Sequence, residues 1–482
     1  MSEKPLNPER SFSLKPWIEP LIAVLMVMSV TGIMYFALDR GYELYAFAGF
    51  LGLALCYIFI KFPKIWIYTV LLSSFVFFHG STEGISAIDV ATALLYNGFL
   101  YIWIFWETLV NRNKIVHSVK DWFILIFFFL LIFNVAIALF IGTTLTAWIS
   151  EYVLSSTILL YFPVRKYFGN RKDLKILLIV FGLSALLASL YHLYIYKEAI
   201  IERSIYVFEL GGSLKVNQAL YTICTAVGLI FILHSKSFIS RIIMIIFTGL
   251  NFLSLLSTFS RTFWLILMFL VFILFLYLRS KRLKIIFYGF LISLIFIISV
   301  LVIFPNNADF VFSFFEKRLE SSGKTVEDIS VRARFEEWDK VFERVERYPL
   351  GGSGLNKKIK FYSIVAGYSW HTSNIHNGYF ALMHKVGLPM TIMYFLVYFI
   401  FLLKAEIYSR KIKDPFYKIL ALISFLTLLM LIIGAITSNQ FLYRDNIFQI
   451  LLAFSFIGII DSKKDKLMNK EPVHYDRQIS RI

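Results

Sequence analysis

Two of the chain's eight histidines, His371 and His376, stand five residues apart in SWHTSNIHNGYF (369–380). An imidazole titrates near neutrality and suits the work of a base at physiological pH. Asn377 and Gly378 follow His376, and the chain then enters a long apolar run. That placement sets His376 at a cavity mouth, yet a histidine beside an apolar run is often a satisfied structural residue. The residues alone leave both readings open for His376, and His371 reads first as structural. The remaining candidates are cations. Arg261, in LLSTFSRTFWLIL, lies where one apolar run ends and the next begins almost without a loop, flanked by Ser260 and Thr262. Desolvating a guanidinium is costly, so it either snorkels to lipid headgroups or lines a cavity for an anionic ligand. Arg203, in IIERSIYVFELGGSLKVNQALY, is a second such case, weakened by the adjacent Glu202. Lys215 and Asn217 just beyond it are candidates for the same polar surface.

Other chemistries find less support. PLGGSGLNKK (349–358) has glycines and lysines but lacks the Gly-x-x-x-x-Gly-Lys-Ser/Thr spacing of a phosphate loop, and reads as a flexible turn. The acid-x-acid pattern Glu337-Trp338-Asp339 does not converge on a helix, because residues two apart point roughly 200° from each other. Asp89 and Glu151 are isolated in sequence, and His371 with His376 lacks acidic company for a zinc set. No metal and no other cofactor is expected.

The elements that must position these residues are membrane helices. The chain is 59% hydrophobic with mean hydropathy +0.72, above the usual soluble range of roughly 45–50% on a comparable count. The bilayer leaves no water for backbone groups, so long apolar runs read as spanning helices. About fourteen are expected, in an all-α polytopic membrane protein. The boundaries are a cytoplasmic segment 1–16, spans 1–11 over 17–304, a large extracytoplasmic loop 305–377 between the eleventh and twelfth, spans 12–14 over 378–460, and a basic tail 461–482. No cleavable signal pattern is evident, and the first apolar run is long enough to stay as an anchor. The net charge of +17 follows topology. With the N-terminus inside, 30 Lys and Arg fall on inner segments and seven on the short outer ones, as the positive-inside rule requires. Both termini are then cytoplasmic, and nucleic acid is excluded as a partner. Cys56 and Cys224 lie in apolar runs and read as small core residues. Within the loop, Val331, Phe335, Trp338, Phe342 and Val345 recur at three- and four-residue steps, predicting an amphipathic helix over about 331–347. Such a helix either lies on the outer interface or roofs a cavity. Glu336/Lys340 and Glu343/Arg347 are its expected i,i+4 pairs.

Taken in order, these stretches resemble the O-antigen ligase and O-antigen polymerase superfamily of bacterial membrane glycosyltransferases. RSIYVFELGGSLKVNQALY is similar to its Arg…Gly…Asn stretch, and STFSRTFWLIL to its Ser-Arg-Ser/Thr-x-Trp/Phe turn. RFEEWDKVFERVERYPLGGSGL resembles its Arg-x-x-x-Trp…Pro-Leu-x-Gly-x-Gly segment through Arg334, Trp338, Pro349, Leu350, Gly352 and Gly354. HNGYFALMHKVG resembles its His-Asn-x9-Gly signature through His376, Asn377 and Gly387. The resemblance covers about 200–390; Met390 departs from the small residue the family often has there.

The resemblance implies a GT-C-like fold and an inverting transfer of glycan from polyprenyl diphosphate to an acceptor hydroxyl, on lipid core or glycan. His376 is then the general base, and Arg261 and Arg203 bind the diphosphate. A guanidinium grips phosphate bidentately and keeps its charge, so no metal is needed. Arg334, His371, Asn377, Lys215 and Asn217 are possible supports. It also implies the bacterial cytoplasmic membrane, with the site facing outward among membrane lipid. The competing reading is a flippase or transporter for lipid-linked glycan. Transporters commonly show repeated halves, and none is visible here.

Overall fold

The computed structural model describes residues 54–74, 94–201, 216–303, 313, 316, 329–364, 367–442 and 444–469. The first expected span, Asp89, Arg203 and Lys215 lie outside them. The described chain is mostly helical. α1 (Ala54–Lys61) and α2 (Pro63–Ser74) meet at 114°, where Pro63 biases Phe62 away from helical backbone. α3 (Phe99–Phe105) follows, between two π turns. Then come α4 (Val119–Phe140), α5 (Leu145–Ser156), α6 (Tyr161–Tyr167) and α7 (Arg171–Ile201). α8 (Gln218–His234), α9 (Phe238–Ser257), α10 (Arg261–Tyr277) and α11 (Arg282–Ile303) continue the series.

Seven helices among the described residues are long and apolar enough to cross a membrane, or eight if the bent α1–α2 pair is one span. Three shorter apolar helices, Gln218–His234, Arg261–Tyr277 and Asn446–Asp461, accompany them. Phe129, Phe133, Phe287 and Phe290 stand exposed along α4 and α11, as lipid-facing positions require. The protein is therefore a multi-pass membrane protein.

Between α11 and the next apolar helix lies α12 (Ile329–Arg347), the expected amphipathic helix. Its buried face is Ala333, Glu337, Val341 and Val345, four residues apart, of which the two valines pack with Ile359, Phe361, Ile375 and Ala381. The aromatic members of the predicted stripe sit at its edge instead, with Phe335 and Phe342 53% and 49% exposed. Lys340 pairs with Glu343, and Glu336 accepts a hydrogen bond from Ser363. Local packing thus replaces the expected Glu336/Lys340 spacing.

The all-α expectation needs one correction. β1 (Ile359–Ser363) and β2 (Tyr368–Thr372) form an antiparallel hairpin in which Lys360 faces His371 and Phe361 faces Trp370. Burial alternates along β1, the period-two pattern of a half-buried strand. The Phe361 and Trp370 rings stack across the pair.

α13 (Gly378–Lys411), α14 (Pro415–Gly434), α15 (Arg444–Asp461) and the short α16 (Lys464–Asn469) complete the chain. α15 is buried along nearly its whole described length and packs against α6, α8 and α14, forming the centre of the bundle. α13 is not continuous. Gly387 has φ 79 and ψ 170, a break followed at once by Leu388-Pro389. A side chain at Gly387 would meet the Leu350 carbonyl oxygen at 2.4 Å, and one at Gly352 (φ +69) would meet the Gly387 nitrogen at 2.6 Å. PLGGSG is therefore no loose turn. Its backbone is pressed against the helix break, where Leu388 N donates to Pro349 O at 2.8 Å, Gly354 N to Lys385 O at 3.0 Å and Ser353 N to His384 O at 2.6 Å.

Candidate functional site

Helix α13 starts immediately after His376. Asn377 is its N-cap, and Asn377 Oδ1 accepts from Tyr379 N and Phe380 N at 3.0 and 3.1 Å, satisfying amides that the first turn leaves without partners. Gly378 N donates to Ala435 O at 2.7 Å, and a side chain on Gly378 would crowd Ala435 and Gln440. The backbone beside His376 is thus pinned to the end of α14.

The imidazole is held from the other side by α12. His376 Nδ1 lies 3.1 Å from Glu337 Oε2 and 3.4 Å from Oε1, and the His376 backbone N donates to Oε2 at 3.0 Å. Glu337 is 3% exposed while His376 is 33% exposed, so the carboxylate is the buried support and the ring the accessible tip. Trp370 meets His376 edge to face at 6.0 Å. An ionised carboxylate only accepts hydrogen bonds. A neutral ring donates to such a carboxylate through a protonated Nδ1, and its lone pair is then on Nε2.

His371 is exposed, and β alternation puts it on the opposite strand face from Trp370. The hairpin brings Trp370 to His376 and turns His371 away. Arg261 is the first residue of α10, half-buried. Phe263 of the same turn comes within 3.3 Å of a side-chain position at Gly434, whose neighbour Ala435 holds Gly378. Arg261 and His376 thus share one end of the bundle. Arg334 is half-buried on α12, one turn before Glu337. Asn217 is buried in left-handed backbone (φ 57) at the start of α8. Arg344 on α12 and Lys357 on the following loop add positive charge; burial, then the Arg344 charge, holds Lys357 below the usual lysine range. Among the described residues no group of three His, Cys, Asp or Glu side chains is placed to hold a metal ion.

The loop is fastened by buried polar contacts. Asn134 on α4 donates through Nδ2 to Gly351 O at 3.0 Å and Lys385 O at 3.1 Å, while its Oδ1 accepts from Leu355 N and Trp148 Nε1. Lys385 pairs with Glu151 on α5, and Glu151 also accepts from Asn356 N. Glu151, isolated in sequence, is thus one post of this fastening.

Glu337 is the residue that sequence reasoning passed over, since it was weighed only with Asp339 as a metal pair. Its signal was there: spaced four from Ala333 and Val341, it is a carboxylate on an apolar helix face, where an acid needs a specific partner.

A multi-pass helical membrane protein with a half-open imidazole and an arginine at one bundle end, beside a fastened loop, is the class defined so far. A family model described as O-antigen ligase matches residues 246–395, from within α9 into α13. Over that stretch the chain carries a domain of the O-antigen ligase and polymerase superfamily, which supports a membrane glycan transferase of that broad type. The matched stretch includes Arg261, Arg334, Glu337, His371, His376 and Asn377. No curated protein matches the chain.

Proposed function

We propose that the protein transfers a glycan from polyprenyl diphosphate to a hydroxyl of a lipid-core or glycan acceptor, in surface polysaccharide assembly. His376 Nε2 takes the proton of the acceptor hydroxyl. The acceptor oxygen bonds to the anomeric carbon as the carbon–oxygen bond to the diphosphate breaks, with inversion, and polyprenyl diphosphate departs. Arg261 meets the diphosphate charge at this end, with Arg203 as its expected second; positioned donors facing developing charge are a large catalytic contribution. No metal is required in this scheme, because guanidinium charge does the same work at any working pH. Arg334, Asn377, Lys215 and Asn217 remain supporting candidates, while His371, on the opposite strand face from Trp370, is left out. We place the loop end on the outer face of the bacterial cytoplasmic membrane, both termini inside and about fourteen spans in all, on the bias of Lys and Arg.

One observation carries this reading. His376 is half-open at the bundle end where α10 begins with Arg261, and both residues lie in the matched domain.

The test uses purified protein in lipid, polyprenyl-diphosphate-linked glycan, a panel of acceptors and EDTA, followed by mass spectrometry. Wild type should release polyprenyl diphosphate and enlarge the acceptor glycan. His376→Ala should lose roughly 10²–10⁴-fold in turnover, the usual contribution of a positioned base. The productive acceptor separates ligase from polymerase. Undiminished activity in the variant removes His376 from the mechanism, and glycolipid crossing the bilayer without product supports transport instead.

A further inference from the structure

The proposed reaction uses a base and a cation, but does not account for the buried carboxylate behind the base. Glu337 is a costly residue to bury on the face of α12 that otherwise presents Ala333, Val341 and Val345. A carboxylate taken out of water needs a partner to offset its desolvation. Among the contacts described, the partners of Glu337 belong to one residue, His376: the ring Nδ1 and the backbone N. The two bonds do different things. The backbone N–H can only donate, so it fixes the carboxylate in place. The second bond is then made by an oxygen already anchored, which orients the ring about its side-chain torsions.

We propose that Glu337 is a positioning residue of the transferase site. It holds His376 in the tautomer with Nδ1 protonated and turns Nε2 toward the acceptor hydroxyl. When Nε2 takes the hydroxyl proton, the ring becomes a cation with the Glu337 carboxylate already beside it, so no solvent has to rearrange to meet that charge. The carboxylate keeps its own charge throughout, and the proton stays on Nε2 until product leaves. This rests on the reading of His376 as base.

The arrangement also divides the site between two elements: the base stands before α13, and its support hangs from α12 in the loop. Trp370 of β2 completes the wall at 6.0 Å. A loop displaced from the bundle would leave the imidazole free to rotate and to exchange tautomers.

The experiment compares wild type, Glu337→Gln, Glu337→Ala and His376→Ala in the lipid assay, with kcat and KM determined separately. In parallel, nitrogen-15 spectra of the same proteins with labelled histidine report ring tautomers, and the His376 signal is the one missing from His376→Ala. Glutamine can keep both hydrogen bonds through its carbonyl oxygen but not the charge. The expected order is a fall in kcat of about 10-fold for Glu337→Gln and about 10²–10³-fold for Glu337→Ala. KM for the donor should change less than twofold in both. The His376 ring should be Nδ1-protonated in wild type and Glu337→Gln, and a mixture in Glu337→Ala. If the alanine chain does not fold, the isosteric glutamine variant carries the test through its kcat and spectrum. Wild-type kcat in the Glu337 variants beside an inactive His376→Ala would overturn the positioning role and leave the base intact. Full activity in His376→Ala would overturn the base reading itself, a separate outcome.

Discussion

At the basic end of the bundle, Lys120 and Asp121 are 4% and 0% exposed, and each is spent on other protein groups. Arg165 Nη1 and the Tyr161 hydroxyl both lie 2.8 Å from the Asp121 carboxylate. Asp461 gathers Lys120, Lys404 and Tyr408, and Lys166 reaches Glu107. These charges join α4, α6, α13 and α15. At the loop end, the His376–Glu337 pair leaves a third of the histidine side chain open. One nitrogen is engaged by the carboxylate, and among the described contacts the other makes none. The same chemical device, a nitrogen donor against a carboxylate, is a rivet at one end and a mount at the other; the second nitrogen of the imidazole makes the difference.

Removing a rivet should separate stability from turnover most sharply. Asp121→Asn leaves the Arg165 guanidinium buried without its counter-charge, which costs about 3–5 kcal/mol. Thermal unfolding in lipid should show that loss, while turnover per folded molecule stays near wild type. A drop in turnover with unchanged unfolding would place catalysis at the wrong end. Gly352→Ala is expected to act on both quantities. Its φ of +69 and the backbone atoms at 2.6 Å imply about 1–3 kcal/mol of local strain, read as faster proteolysis of the loop together with reduced kcat. If the loop stays protected and kcat is unaffected, the fastening does not serve the site. The smallest effect belongs to His371→Ala. Exposed and on the opposite strand face from Trp370, it should alter turnover by about twofold or less, as surface substitutions do. A tenfold loss would bring it into the site after all.

Much of this was legible in the sequence. Apolar runs and the amphipathic helix follow from periodicity, which is a local property. The position of His376 ahead of a helix was likewise readable from His-Asn-Gly followed by an apolar run. Its partner was not. Glu337 lies 39 residues away, and nothing in the spacing of a single chain announces a pairing across a hairpin. The same is true of Glu151 with Lys385, separated by 234 residues. Lys385, one of the seven cations counted on short outer segments, is buried. The hairpin escaped notice because its strands are five residues each, too short to stand out between a helix and a membrane span. The half-exposed Phe335 and Phe342 show the remaining difficulty: periodicity says which residues share a helix face, but the neighbours decide which face is buried.

The fastening at Asn134 also bears on how the molecule is made. Its bonds reach Gly351 and Lys385 across 217 and 251 residues, and α13 is further tied to Ala435 at the end of α14. Contacts so distant along the chain are slow to close. A growing polypeptide that has inserted α4 and α5 still lacks everything they clasp. The geometry of the loop end is therefore a property of the finished chain, and an arrested or truncated product would occupy the membrane without ever assembling it.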